Sequence, residues 1–165
     1  MKTKQLVMSA LLASLVCVAT MILRIPSPLG GYLNLGDGIV LLCGWLLSPV
    51  YGALAAGIGS GLADVLSGYA VYAPATFVIK GAMALIAYGI AKGLCSYTRP
   101  LAARTVSGVI AEVVMIGGYL TFETVLYGFV PSLVNVPANA LQGLAGFSFF
   151  LIDNFTLFYL INRVI

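Results

Sequence analysis

The chain has 165 residues, of which 61% are hydrophobic and 8% are charged, and its formal net charge is +3. A soluble domain typically carries about 25% charged residues, so this composition excludes a soluble protein and predicts a polytopic membrane protein. Because each membrane-spanning helix needs about 20 apolar residues, the length allows roughly six helices in a single domain over 1–165.

The residue types also limit the chemistry. Histidine is absent, which removes imidazole metal ligands and the usual acid–base residue at neutral pH. Cys17, Cys43 and Cys95 stand far apart, so neither a disulfide nor a zinc site is indicated. No phosphate-binding loop ending in Gly-Lys-Ser/Thr occurs. We therefore expect no catalytic residues, no metal and no cofactor.

The first predicted helix covers the apolar run 5–23, which follows Lys2 and Lys4. This run is longer than the apolar core of a signal peptide and lacks a small-x-small cleavage site, so we expect it to remain in the protein. Three small side chains recur along it at four-residue spacing, namely Ser9, Ala13 and Cys17. Small side chains let helices approach closely in lipid. This face predicts either packing inside the bundle or docking to a partner subunit.

Proline and paired glycine in 24–31 end this helix, and a loop continues to Asp37. A short second helix is predicted over 39–47. Pro49 suits the first turn of a third helix, which extends to Leu66. A fourth helix covers 74–92 and carries Lys80 about two turns from its start.

A hydrophilic connection over 93–104 leads to a fifth helix over 105–127, a loop over 128–137 and a sixth helix over 138–161. Both helices carry polar residues on one face. Those on the fifth helix are Glu112, Tyr119 and Glu123, and those on the sixth are Asn139, Gln142, Gly146 and Asp153.

The distribution of Lys and Arg predicts that both termini are cytoplasmic. This orientation places six cations on the cytoplasmic side and leaves Arg24 alone near an outer loop; the six are Lys2, Lys4, Lys92, Arg99, Arg104 and Arg163. The predicted outer loops are then 25–37, 68–73 and 128–137. We expect a multi-pass protein of a bacterial plasma membrane.

This orientation gathers polar side chains at the outer ends of the helices. A charge inside a bilayer costs about 3 kcal/mol, so it persists only where something uses or neutralises it. Aromatic rings, amides and carboxylates together suit a small, flat, heteroaromatic solute. The predicted site residues are Asn34, Asp37, Asp64, Tyr72, Lys80, Tyr119, Glu123, Asn139 and Gln142.

Several of these residues also have a purely structural interpretation. Asp64 and Lys80 could neutralise one another as an ion pair, and Asp37 could cap the second helix. Glu123 could be solvated near the interface, and the tyrosines could pack in the bundle. Glu112 and Asp153 lie deeper, and a pairing between them would require a shared proton or a cation.

Three segments together resemble a known family. They are LGD (35–37), the glycine-rich helix that ends in GSGLAD (59–64), and SGYAVYAPATFVIK (67–80). This pattern is similar to the substrate-binding S component of energy-coupling-factor (ECF) vitamin transporters, in particular the branch of hydroxymethylpyrimidine, pyridoxine and riboflavin carriers. The similarity is densest over 33–92.

The resemblance implies a six-helix protein that binds a vitamin or its precursor in the outer half, under a lid at about 25–37. It also implies ATP-driven uptake with a transmembrane T component and two cytosolic ATPases. In this family the docking face on helix one is described as alanines four residues apart, and the matching positions here are Ser9, Ala13 and Cys17.

Two other classes of function stay open. A self-contained secondary transporter would couple Asp64, Glu112 or Asp153 to protons or sodium, although no inverted repeat is detectable. A small integral membrane enzyme would need carboxylates clustered on a metal, whereas the five acidic residues are scattered along the chain.

Overall fold

The computed structural model describes residues 2–148, and these residues are mainly helical. The five long or medium helices are α1 (Lys2–Ile22), α2 (Asp37–Leu46), α3 (Pro49–Leu66), α4 (Ala73–Leu94) and α5 (Pro100–Tyr127). A single turn α6 (Phe129–Ser132) and a 3₁₀ turn (Leu133–Asn135) follow, and a last helix, α7, covers 136–148 of the described chain. The predicted all-α class is therefore confirmed.

Four of the described helices, α1, α3, α4 and α5, are long and apolar enough to cross a bilayer. Helix α2 has only 10 residues, so it is too short to cross a bilayer. The first five predicted helices correspond to α1–α5, and the predicted sixth begins two residues early, as α7. The rest of that sixth helix, with Asp153, lies outside the described residues.

The helix ends follow from local sequence. Proline occupies the first or second position of α3, α4 and α5, where a backbone N–H has no helical partner to lose. Pro100 therefore starts α5 five residues before the predicted 105. Gly128 ends α5 with a φ of +88°, in the left-handed region that favours glycine.

Small residues bring the helices into backbone contact. A Cβ atom at Gly59 of α3 would lie 2.4 Å from the carbonyl oxygen of Ala13 in α1, and one at Gly44 of α2 would lie 2.5 Å from that of Ala84 in α4. Ser9 and Cys17 are each only 8% exposed. The small face of α1 therefore packs inside the bundle, which is one of the two alternatives that the sequence leaves open, and docking of a partner at Ser9, Ala13 and Cys17 stays a prediction.

The outer surface of the bundle is apolar, unlike that of a soluble protein. Large apolar side chains such as Leu11 and Val113 are exposed around the bundle, where lipid would surround them. Asp37 and Lys80 are almost fully buried beside the apolar core side chains of Leu41 and Met83. Charge is therefore kept within the protein and away from the lipid-facing surface.

We expect Gly59→Ala to lower the Tm in detergent, because the added methyl group must push α1 and α3 apart at the cost of about 1–3 kcal/mol of overpacking. Gly117→Ala is the matched control, because a Cβ atom there meets nothing within 4 Å. Its substitution should leave the Tm unchanged or raise it, since alanine is the better helix former. Equal Tm values for the two variants would contradict the close α1–α3 contact.

Candidate functional site

A pocket lies at the end of the bundle where the α1–α2, α3–α4 and α5–α7 connections meet. The space between its walls, including the part open to solvent, is about 360 Å³. The lining residues come from the α1–α2 connection and from α3, the α3–α4 loop, α4, α5 and α7. They are Ser27, Gly31, Tyr32, Asn34, Asp64, Tyr72, Thr76, Tyr119, Glu123, Asn139 and Gln142.

A two-stranded hairpin covers this pocket. Strands β1 (Ile25–Pro26) and β2 (Tyr32–Leu33) are antiparallel, and Gly30 turns the chain between them with a φ of +96°. The hairpin tip is tied down by two long hydrogen bonds. Tyr72 Oη donates to the Leu29 carbonyl at 3.4 Å, and the Leu29 N–H donates to Asn135 Oδ1 at 3.4 Å.

Asp64 forms one wall of the pocket. Tyr32 Oη donates to Asp64 Oδ1 at 2.6 Å, whereas Asp64 Oδ2 is buried without a hydrogen-bond partner among the described residues. Burial and the neighbouring Asp64 carboxylate raise the pKa of Tyr32 above its usual range, so its hydroxyl stays protonated and acts as a donor. The Tyr32 ring also packs against Tyr69, with 4.7 Å between ring centroids.

Glu123 forms the second acidic wall. Asn135 Nδ2 donates to Glu123 Oε1 at 2.8 Å, which leaves Glu123 Oε2 buried and unpaired in the described chain. Asn139 Nδ2, on α7, is likewise buried without an acceptor there. The Tyr72 ring lies edge-on to Phe122, with 5.3 Å between ring centroids. This side of the pocket thus offers a free acceptor, a free donor and an aromatic ring.

Gln142 connects the pocket floor to a buried ion pair. Its Oε1 accepts from the backbone N–H and the Nδ2 of Asn34, at 3.1 and 3.2 Å, and its Nε2 donates to Asp37 Oδ2 at 2.8 Å. Lys80 Nζ donates to Asp37 Oδ1. Lys80 Nζ also lies 5.5 Å from the ring centroid of Tyr119, whose hydroxyl donates to Thr76 Oγ1.

Seven of the nine predicted site residues line the pocket, and Asp37 and Lys80 lie behind its floor. The predicted ion pair between Asp64 and Lys80 is wrong, because Lys80 pairs with Asp37. The predicted cap is also wrong: Asp37 is the first residue of α2, and its side chain binds Lys80 and Gln142 and not the helix amides.

Four lining residues were missing from the predicted site, namely Ser27, Gly31, Tyr32 and Thr76. Tyr32 lies in the expected lid at 25–37, and Thr76 lies in the motif over 67–80. An aromatic ring and a hydroxyl group are groups that can contact a solute, so both residues could have been predicted from the sequence. Ser27 and Gly31 had no signal of their own beyond membership of the expected lid.

Glu112 is a buried carboxyl outside the pocket. It is 6% exposed, lies beside Gly143 of α7, and has no hydrogen-bond donor to either oxygen among residues 2–148. Its suggested partner Asp153 lies outside the described residues. Within those same residues, no three His, Cys, Asp or Glu side chains come together as a metal site.

The chain is similar to a protein family, to a curated protein and to solved structures. The family model described as "ECF-type riboflavin transporter, S component" matches residues 1–152. A Pyrococcus woesei protein described as "Uncharacterized protein in gap 3'region" is 43% identical over 114 residues, covering 68% of this chain and 74% of that protein. A solved structure described as the S component of a bacterial ECF transporter aligns with a TM-score of 0.78 and 24% identity, covering 98% of this chain and 99% of the other.

We expect Lys80→Met to destabilise the protein by about 3–5 kcal/mol, because it leaves the Asp37 carboxylate buried without its cation. The double variant Asp37→Asn/Lys80→Met removes both charges and should recover much of that loss. Unfolding of the purified protein in detergent would measure both changes. A single variant as stable as the native chain would contradict a structural role for the pair.

Proposed function

The chain belongs to the family of S components of ECF-type riboflavin transporters, and we propose from this premise that it binds a small water-soluble vitamin in the pocket under the β1–β2 hairpin. As a member of this family it is an integral membrane component of a transporter and not an enzyme. The pocket supports the proposal, because seven polar or aromatic side chains expected from sequence to contact solute line one cavity.

One observation carries the proposal. Four buried polar atoms without partners among the described residues belong to side chains that line this pocket: Asp64 Oδ2, Glu123 Oε2, Asn139 Nδ2 and Ser27 Oγ. An unpaired buried polar atom is costly, and native proteins leave few of them. A bound solute that pairs with these atoms would remove the cost. Tyr32, Tyr72 and Tyr119 add ring surfaces on which a flat solute can stack.

Riboflavin is the first candidate solute, because the matching family model carries its name. It combines a flat ring system with a chain of hydroxyl groups, and both features suit tyrosine rings beside free carboxylate oxygens. Hydroxymethylpyrimidine and pyridoxine are the second candidates.

We propose that the pocket faces the outside of the cell and that the Lys- and Arg-rich end faces the cytoplasm. In this orientation the chain would deliver its solute with a T component and two cytosolic ATPases.

We further propose that the T component contacts the exposed face of α1 one residue along from the predicted register. Ala10 and Ser14 are exposed and one turn apart. Ser14 Oγ donates to the Ala10 carbonyl at 2.9 Å, so its hydroxyl is satisfied within the helix. The result is a small surface between Leu11 and Leu15 that another helix could approach closely.

We expect Asp64→Asn to weaken solute binding at least about tenfold, since a neutral amide replaces a charged acceptor. Tyr32→Phe should weaken binding less, because it removes only the donor that orients Asp64. Titration of purified protein with riboflavin, followed by flavin fluorescence, and calorimetry with pyridoxine and hydroxymethylpyrimidine would measure the affinities. Unchanged affinity in Asp64→Asn for a solute that binds the native chain would overturn the assignment of this wall.

We expect the double variant Ala10→Leu/Ser14→Leu to bind solute with native affinity but to lose ATP-driven uptake with the T component and ATPases. The bulky side chains would hold the partner helix away from α1. Val113→Leu, an exposed position on α5, is the control and should transport normally. Full uptake by the double variant would show that the docking surface lies elsewhere.

A further inference from the structure

The pocket wall carries an unbalanced charge. Among residues 2–148, its eleven lining residues include two carboxylates, Asp64 and Glu123, and no lysine or arginine. Lys80, the cation behind the floor, is 1% exposed and bonds Asp37. This lysine is therefore paired directly with a third carboxylate and not with either of the two in the wall.

Each wall carboxylate is half satisfied by a neutral donor. Tyr32 Oη donates to Asp64 Oδ1 and Asn135 Nδ2 donates to Glu123 Oε1, which leaves one oxygen on each carboxylate without a partner in the described part of the chain. Asp64 is 4% exposed and Glu123 is 2% exposed, so water replaces little of what is missing. Asn139 Nδ2 is a donor without an acceptor among the described residues, so one acceptor on a solute would satisfy it.

We propose, on the basis of the function proposed above, that Asp64 and Glu123 act as a charge filter. The pocket takes solutes that are uncharged or cationic and that present at least two N–H or O–H donors together with one acceptor. It rejects the phosphorylated form of the same vitamin.

A phosphate group would bring negative charge beside two carboxylates in a water-poor cavity, where like charges repel far more strongly than in bulk water. Tyr32, Tyr72 and Tyr119 also favour cations over anions, because the face of an aromatic ring is electronegative.

The test compares each vitamin with its own phosphate ester. The full-length protein in detergent is titrated with riboflavin and riboflavin 5′-phosphate, and with pyridoxine and pyridoxine 5′-phosphate. We expect the ester of whichever vitamin binds to be weaker by at least about a hundredfold. The uncharged acetate ester at the same hydroxyl distinguishes an effect of charge from an effect of size. Its affinity should be closer to that of the parent vitamin than the affinity of the phosphate ester is.

Two variants identify the groups responsible. Asp64→Asn and Glu123→Gln keep the shape of each side chain, and each should reduce the preference for the unphosphorylated form by about tenfold. Glu112→Gln is the matched control, since it neutralises a buried carboxyl on the same helix as Glu123 but outside the pocket. It should leave the preference unchanged.

The outcomes separate this inference from the proposed function. If neither vitamin binds in either form, the proposed function fails and the charge filter fails with it. If a vitamin binds and its phosphate binds equally well, the proposed function stands and the charge filter is wrong. The charge filter is also wrong if both variants keep the native preference, or if the acetate ester is rejected as strongly as the phosphate.

Discussion

The ion pair between Asp37 and Lys80 is the interaction on which the arrangement of the pocket depends. Both residues are almost fully buried, where a lone charge would be prohibitively costly, so α2 and α4 are obliged to meet at this point. Gln142 extends the constraint, because it bonds Asp37 with its amide nitrogen and Asn34 with its amide oxygen. One pair therefore fixes α7 and the end of the hairpin as well as its own two helices, and the floor of the pocket is built on it.

Hydrogen-bond pairing also distinguishes the buried carboxylates from one another. Asp37 has its oxygens occupied by a cation and an amide, which makes it structural. Asp64 and Glu123 line the pocket, and each has one oxygen held by a neutral donor and one without a partner among residues 2–148. A buried acceptor without a partner is costly, and a solute in this pocket could pair with both. The difference lies in the pairing and not in the residue type.

Much of the fold followed from sequence because length, apolar runs and proline positions act locally. The limits of α3 were predicted to the residue, since Pro49 starts the helix and the apolar run stops at Leu66. Most of the pocket lining was also predictable, since a polar residue in an apolar helix must face inward. The pairing was not predictable: Asp37 and Asp64 are both candidates for Lys80 in sequence, and only the packing of α2 against α4 decides between them. The contacts of α1 were not predictable for the same reason, because only the packing of Gly59 of α3 against Ala13 decides that Ala10 is left exposed.

The contacts of the hairpin suggest how a closed pocket could still admit a solute. Its tip is held by two hydrogen bonds of 3.4 Å, one from the Leu29 N–H and one to the Leu29 carbonyl, and Gly30 gives the turn a backbone free to change conformation. Its base, by contrast, is held at Asn34 by Gln142 and through it by the buried ion pair. Weak attachment at the tip and firm attachment at the base are the mechanical requirements of a flap that lifts without unfolding the floor beneath it. Tyr32 lies between the two, so the residue that orients Asp64 would move with the flap, and the acidic wall would be completed only when the hairpin is down.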